Sequence, residues 1–202
     1  PLQTKKGRYR YIFFKFICKK FLDKIIAIDN DCYKTSPNKF KTNIIYNGIN
    51  KKNLIIKNKK KRILTFGFIG NFIKRKGVYE ILEVFNRLKY IKIKLICTGK
   101  NNNQNKLLNL FNFERDFENF LNKNKILENK NIKIHPITYN LNKFYSNIDV
   151  IIFPGFMHAV GRPVIEASLL KKPSIIALNN YNNDTAKKNN CLIFKPGNLI
   201  SL

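Results

Sequence analysis

The stretch HAVGRPVIEASLLKKP, residues 158–173, gathers side chains that could do chemistry. His158, one of only two histidines in the chain, precedes Glu166, with Gly161, Arg162 and Pro163 between them. Proline is well tolerated at the first helical position, so a helix is expected to start at Pro163, with Gly161 and Arg162 at its mouth and His158 in the loop before it. Glu166 then lies about one turn inside, its side chain leaning back toward the helix N-terminus. A carboxylate there can accept hydrogen bonds from a vicinal diol such as a ribose offers, while Arg162 and the free amides can hold phosphate. The plainer alternatives are a glutamate that only complements the helix dipole and a histidine that fills a loop.

A second loop, GFIGNFIKRKG at residues 67–77, is built for an anion. Gly67 and Gly70 permit close backbone approach, and Lys74, Arg75 and Lys76 stand just before a helix expected near Gly77. The unbonded amides and dipole of a helix N-terminus favour negative charge, and three cations would make the end a diphosphate site. The loop fits neither the dinucleotide fingerprint nor the P-loop, so a glycine turn with solvated lysines competes with this reading. Two anion-favouring mouths and a diol-binding carboxylate on one sheet edge together suggest a nucleotide diphosphate with a sugar attached.

The elements that must position these loops read as a doubly wound parallel α/β sheet. Near-continuous apolar strands, RILTFGFIG, IKIKLICTG, NIKIHPI, DVIIFPG, PSIIAL and CLIF, alternate with helical spacing, as at Val78, Ile81, Leu82, Phe85 and Leu88. That alternation marks a parallel sheet covered on both faces, and ligands bind such sheets at the carboxyl ends of the strands. Residues 102–128 read as a helical but solvated excursion, rich in Asn and Lys. Before residue 61 the organisation changes: an amphipathic helix over residues 8–22, strand-like DKIIAID and NIIYNG, then the charged linker INKKNLIIKNKKK. Residues 1–60 are therefore expected to be the tail of another domain with its linker, and 61–202 the ligand-binding domain. Pro1 in place of a methionine leads us to expect a fragment.

Composition narrows the classes. With 44% hydrophobic and 13% aromatic residues the chain is globular. No apolar run approaches the roughly 20 residues that span a bilayer, and no signal peptide is visible. The net charge of +27 would attract nucleic acid or anionic lipid. Its lysines are spread along the chain beside abundant Asn, Ile, Phe and Tyr, as AT-rich coding would produce without selection for binding. No reader motif for nucleic acid appears, so a basic nucleic-acid-binding module stands as the rival from another class, and no specific nucleic-acid partner is expected. Cys18, Cys32, Cys97 and Cys191 are far apart and form no C-x-x-C pair, which argues against a metal or disulfide framework and favours a reducing cytoplasm.

Three segments carry a resemblance: FGFIGNFIKRKGVYEILEVF, YSNIDVIIFPGFMHAVGRPVIEASLLKKPSIIA and NNCLIFKPGN. In order and spacing they are similar to the donor-binding domain of the retaining group 1, glycogen synthase-like glycosyltransferases. DKIIAIDND and NIIYNGIN resemble the end of that family's N-terminal domain and its Asn-Gly link, so the likeness runs over about residues 22–198. The resemblance implies a Rossmann-like sheet forming the C-terminal half of a GT-B fold. It also implies sugar transfer from a nucleotide-diphosphate sugar to a glycan, lipid-linked or saccharide acceptor, with retention and with neither metal nor cofactor.

Carried over by position, Lys76 corresponds to the lysine on the donor phosphates, Gly70 to the first-loop glycine, Gly161 to the glycine whose amides meet phosphate or sugar, and Glu166 to the glutamate that holds the ribose. Asn71 replaces the usual arginine, for which Arg75 or Arg162 would substitute, and His158 replaces the first glutamate, against the transferred sugar. His158, Lys76 and Glu166 are thus the expected catalytic set, and Gly70, Asn71, Arg75, Lys76, Gly161, Arg162 and Glu166 the donor-binding set. The two departures keep open a degenerate nucleotide-sugar binder, and a sugar-nucleotide epimerase shares the architecture. A cytoplasmic location, with weak peripheral contact to anionic membrane, completes the expectation.

Overall fold

All eight strands expected from the sequence are present. The computed structural model describes residues 5–50, 54–56, 62–99, 113–155, 161–177 and 191–202, and the chain divides into two units, Pro1–Ile49 and Asn50–Leu202.

In the first unit, helix α1 (Lys5–Lys20) is followed by strand β1 (Ile25–Ala27), helix α2 (Asn30–Lys34) and strand β2 (Thr42–Ile44). β1 and β2 pair in parallel with Ile26 opposite Asn43. The polar run between them folds because Asp29 caps α2, its carboxylate accepting the Cys32 N–H at 2.6 Å. A cap of this kind stabilises a helix by about 1 kcal/mol.

The second unit is one six-stranded sheet, all parallel, in the order β5-β4-β3-β6-β7-β8. Its strands are β3 (Leu64–Ile69), β4 (Ile93–Gly99), β5 (Ile132–Pro136), β6 (Val150–Phe153), β7 (Ser174–Ala177) and β8 (Cys191–Phe194). The chain builds outward from β3 in one direction, then returns to β6 beside β3 and builds in the other. This reversal opens a crevice above the carboxyl ends of β3 and β6, where sheets of this type take their ligands.

The two faces are told apart by side-chain parity. Phe66 and Phe68 of β3 pack with helix α3 (Val78–Arg87), whose Val78, Ile81, Leu82 and Phe85 are buried at the expected helical spacing. Burying each such side chain contributes about 1.5–3 kcal/mol. Gly67 points the other way: a Cβ there would lie 2.6 Å from Ile148 and 3.0 Å from Phe144, so only glycine lets helix α5 (Leu141–Ser146) and the turn after it press onto β3. Helix α6 (Arg162–Leu169) shares that face, with Val164 packed against Phe153 and Ile176. Asp149 fixes the start of β6 to β3. Its N–H donates to the Thr65 carbonyl at 2.6 Å, and its carboxylate accepts the Thr65 N–H at 2.9 Å.

One detail corrects the sequence reading. Helix α4 (Phe113–Lys123) is no solvated excursion, because Phe117 and Leu121 are buried in the same core as α3. Within the stretch read as linker, Leu54 is buried and the Ile55 N–H donates to Asn142 at 3.1 Å.

Candidate functional site

β3 ends at Ile69, and the chain turns through Gly70, whose N–H donates to the Thr98 carbonyl at 3.1 Å. Gly99, at the end of β4, lies directly against this turn. A Cβ on Gly99 would collide with the Gly70 carbonyl and reach within 2.9 Å of the Phe72 ring. Phe72 in turn stacks on Phe117 at 5.0 Å, so the first loop is seated on the core while Asn71 is exposed.

Lys74, Arg75 and Lys76 form one 3-10 turn ending at Gly77. The N–H groups of Lys76 and Gly77 donate within the turn, to Ile73 and Lys74, and the first turn of α3 carries the acidic Glu80, whose own N–H donates to its carboxyl. The Lys76 and Gly77 amides are thus engaged by the chain itself, and the three cations stand beside them. Lys74 and Arg75 are exposed, and Lys74 rests 5.9 Å from the centre of the Tyr79 ring. Lys76 is half-buried, and burial, reinforced by Arg75, holds its pKa below the usual 10.5. No carboxylate pairs with Lys76 among the described residues. A desolvated ammonium of this kind gains most from an anion that replaces its lost water.

The turn also touches the end of β6. Gly77 has φ +74°, and a Cβ on it would lie 2.5 Å from the Pro154 carbonyl oxygen. A Cβ on Gly155 would stand 3.9 Å from the Arg75 carbonyl oxygen. The segment that leads toward His158 therefore departs from beside the cationic turn. His158 itself lies outside the described residues.

α6 begins as expected, with Gly161 at its N-cap and Pro163 in the first turn. The Gly161 carbonyl accepts the N–H groups of Val164 and Ile165 at 2.8 and 3.1 Å. Glu166, one turn in, is only 3% exposed. Its two oxygens have separate donors: the Tyr145 hydroxyl donates to Oε2 at 2.7 Å, and Arg162 Nε donates to Oε1 at 2.8 Å. Burial first, then the adjoining Glu166 carboxylate, pushes the Tyr145 phenol far above its usual range, so it stays a donor.

Glu166 and Arg162 line a hollow of about 280 Å³ together with Ile69, Thr138 and Tyr139. The hollow thus sits at the carboxyl end of β3, next to Gly70, where the strand order reverses. A second hollow of about 310 Å³ adjoins it through Thr138 and runs past Thr98, His135 and Phe144. Lys76 is not among the lining residues of either. The structure thus gathers Arg162 and Glu166 around one cavity beside Gly70. It sets Asn71, Arg75 and Lys76 on the adjoining loop, and Gly161 at the head of α6.

Sequence reasoning missed Tyr145, Thr138 and Tyr139. It also assigned Arg162 wholly to phosphate, whereas its Nε is engaged with Glu166; the spacing of four residues on one helix was the available signal. Among the described residues no three His, Cys, Asp or Glu side chains group to hold a metal ion, and no helix is long and apolar enough to cross a membrane.

A profile of the family described as "Glycosyl transferases group 1" matches residues 49–202. The capsular polysaccharide biosynthesis glycosyltransferase CapM of Staphylococcus aureus is 26% identical over 111 residues, which are 54% of this chain and 26% of that protein. In fold, the chain is similar to a glycosyltransferase from Rickettsia africae ESF-5, with a TM-score of 0.76 and 17% identity over 94% of this chain and 54% of that one. It is equally similar to Anabaena HepE in complex with UDP-glucose, with a TM-score of 0.76 and 12% identity over 96% of this chain and 55% of that one. The chain spans about half the length of these solved structures. At these identities the likeness establishes the fold, the Rossmann-like α/β arrangement of GT-B glycosyltransferases.

Proposed function

This chain belongs to the group 1 glycosyltransferases, and from that premise we propose that it binds a nucleotide-diphosphate sugar and serves its transfer, with retention at the anomeric carbon, to a glycan, lipid-linked or saccharide acceptor. On this reading residues 61–202 are the donor domain, the C-terminal half of a GT-B fold, and residues 1–60 the tail of the acceptor domain with its linker.

One observation carries the proposal: Glu166 is buried yet lines the hollow at the strand-order reversal, with one donor already on each oxygen. A carboxylate oxygen accepts two hydrogen bonds, so each keeps one place for a sugar hydroxyl. Glu166 then holds the ribose. Lys76, Arg75 and the remaining N–H groups of Arg162 meet the diphosphate, with Gly70, Asn71 and Gly161 giving close backbone approach. Without a metal, the charge that develops on the leaving diphosphate is met by these cations, and such preorganised charge is the usual main source of rate enhancement. His158 is assigned to the transferred sugar. The complex of HepE with UDP-glucose supports a donor of this class.

A cytoplasmic site of action with peripheral contact to anionic lipid belongs to the same proposal. α1 supports it. Its sequence, KKGRYRYIFFKFICKK, has seven cations and no carboxylate, and Tyr9, Ile12, Phe13 and Phe16 are exposed at helical spacing. Aromatic residues flanked by lysine and arginine on a helix suit an anionic bilayer surface.

The test is a thermal-shift panel of UDP, GDP, ADP and their sugars, repeated with Glu166→Ala and Lys76→Ala. A ligand that binds the folded state raises its stability with occupancy. The best nucleotide should lose its shift in both variants, and an undiminished shift in both would overturn the site assignment.

A further inference from the structure

Glu166 does not hold its own position. A glutamate side chain has broad freedom about its terminal torsion, and a buried carboxylate needs hydrogen bonds in place of the water it has lost. Two groups supply them, and they are unequal. Arg162 lies one turn earlier on the same helix and its side chain is 65% exposed, so solvent competes for it. Tyr145 comes from α5, is fully buried, and its ring is held edge-on against Phe144 at 5.2 Å. Its hydroxyl therefore reaches Glu166 Oε2 from a fixed point, across a different element from the one that carries the carboxylate.

With Tyr145 on one oxygen and Arg162 on the other, the carboxylate cannot turn without breaking one bond. Each oxygen keeps one acceptor place, and two neighbouring hydroxyls require one on each. We propose that Tyr145 is a positioning residue whose hydroxyl sets Glu166 to read an intact ribose diol, so that the site separates ribonucleotides from 2′-deoxyribonucleotides. This rests on the reading of Glu166 as the ribose contact. Loss of the Tyr145 hydroxyl would leave Oε2 without its fixed donor. The carboxylate could then turn, and it would meet one hydroxyl as well as two.

The experiment measures dissociation constants of the 202-residue chain for UDP, GDP and ADP, each against its 2′-deoxy counterpart, by calorimetry. For the tightest base the chain should prefer the ribonucleotide by roughly 10- to 100-fold, the range for one or two hydrogen bonds to a charged group. Tyr145→Phe should reduce that preference to about 3-fold or less through weaker ribonucleotide binding, with deoxynucleotide affinity nearly unchanged. Glu166→Gln should reduce it as well. Trimethylamine N-oxide is added if Tyr145→Phe needs it to fold, since such osmolytes favour the compact state, and the ratio is then read in the same buffer for every variant. A preference that persists in Tyr145→Phe while Glu166→Gln abolishes it, or an equal loss for both nucleotides, overturns the role of Tyr145 alone. A parent chain that prefers neither sugar overturns the ribose reading of Glu166, and this inference with it.

Discussion

Gly77 and Pro154 touch backbone to backbone: a Cβ on Gly77 would fall 2.5 Å from the Pro154 carbonyl oxygen and 2.7 Å from the Pro154 Cβ. The contact joins the cationic turn after β3 to the end of β6, across the point where the strand order reverses. Because φ at Gly77 is +74°, any other residue also meets left-handed strain of about 1–2 kcal/mol. Gly77→Ala is therefore expected to lower unfolding stability by about 2–4 kcal/mol in urea titration. Gly155→Ala, whose added Cβ would stand 3.9 Å from its nearest neighbour outside the local chain, should change stability by less than about 1 kcal/mol.

Lys76 and Glu166 are assigned to different parts of the donor, so their losses should separate. Lys76→Ala is expected to weaken UDP by roughly 10- to 100-fold, the equivalent of one charge-assisted hydrogen bond, and to leave uridine affinity nearly unchanged. Glu166→Ala should weaken both. Competition against a fluorescent nucleotide distinguishes the two patterns, and equal losses of uridine in both variants would contradict the division.

Stability and binding should respond to alkali in opposite directions. Burial and Arg75 lower the Lys76 pKa from 10.5, so between the lowered value and 10.5 the unfolded chain binds more protons than the folded one. Stability from this group consequently rises with pH through that window. Diphosphate binding needs the ammonium and should weaken across the same window, with proton uptake detected by calorimetry in buffers of different ionisation enthalpy. Lys76→Arg, which stays charged, should flatten both trends.

α1 should carry whatever lipid contact the chain makes. Co-sedimentation is expected with vesicles containing phosphatidylserine and not with pure phosphatidylcholine. Each cation near an anionic surface contributes about 1 kcal/mol, so Lys19→Gln with Lys20→Gln should reduce binding roughly ten-fold or more. Phe13→Ser with Phe16→Ser should also reduce it, and binding that both pairs leave unchanged would place the contact elsewhere.

The sheet was legible because its strands are apolar runs stopped by glycine or proline, signals that depend on neighbouring residues alone. Glu166 was legible for the same reason, since Pro163 fixes where α6 starts and therefore where its first turn ends. Tyr145 was not. Its hydroxyl needs a partner once buried, but those it finds, the Pro163 carbonyl at 3.3 Å and Glu166 at 2.7 Å, are 18 and 21 residues away and are set by the packing of α5 and α6 on one sheet face. Phe117 and Leu121 were hidden by the density of Asn and Lys around them, which outweighed an apolar spacing of four residues. The anion-binding reading of this loop did not foresee that the Lys76 and Gly77 N–H groups bond back within the 3-10 turn.

With Gly99 pressed on the Gly70 carbonyl, the floor beside the crevice is laid jointly by two strands and has no room for a side chain on Gly99. Tyr139, by contrast, stands 90% exposed at the rim, where a replacement displaces only solvent. Sequence change is therefore tolerated at that rim and refused at Gly99 beneath it.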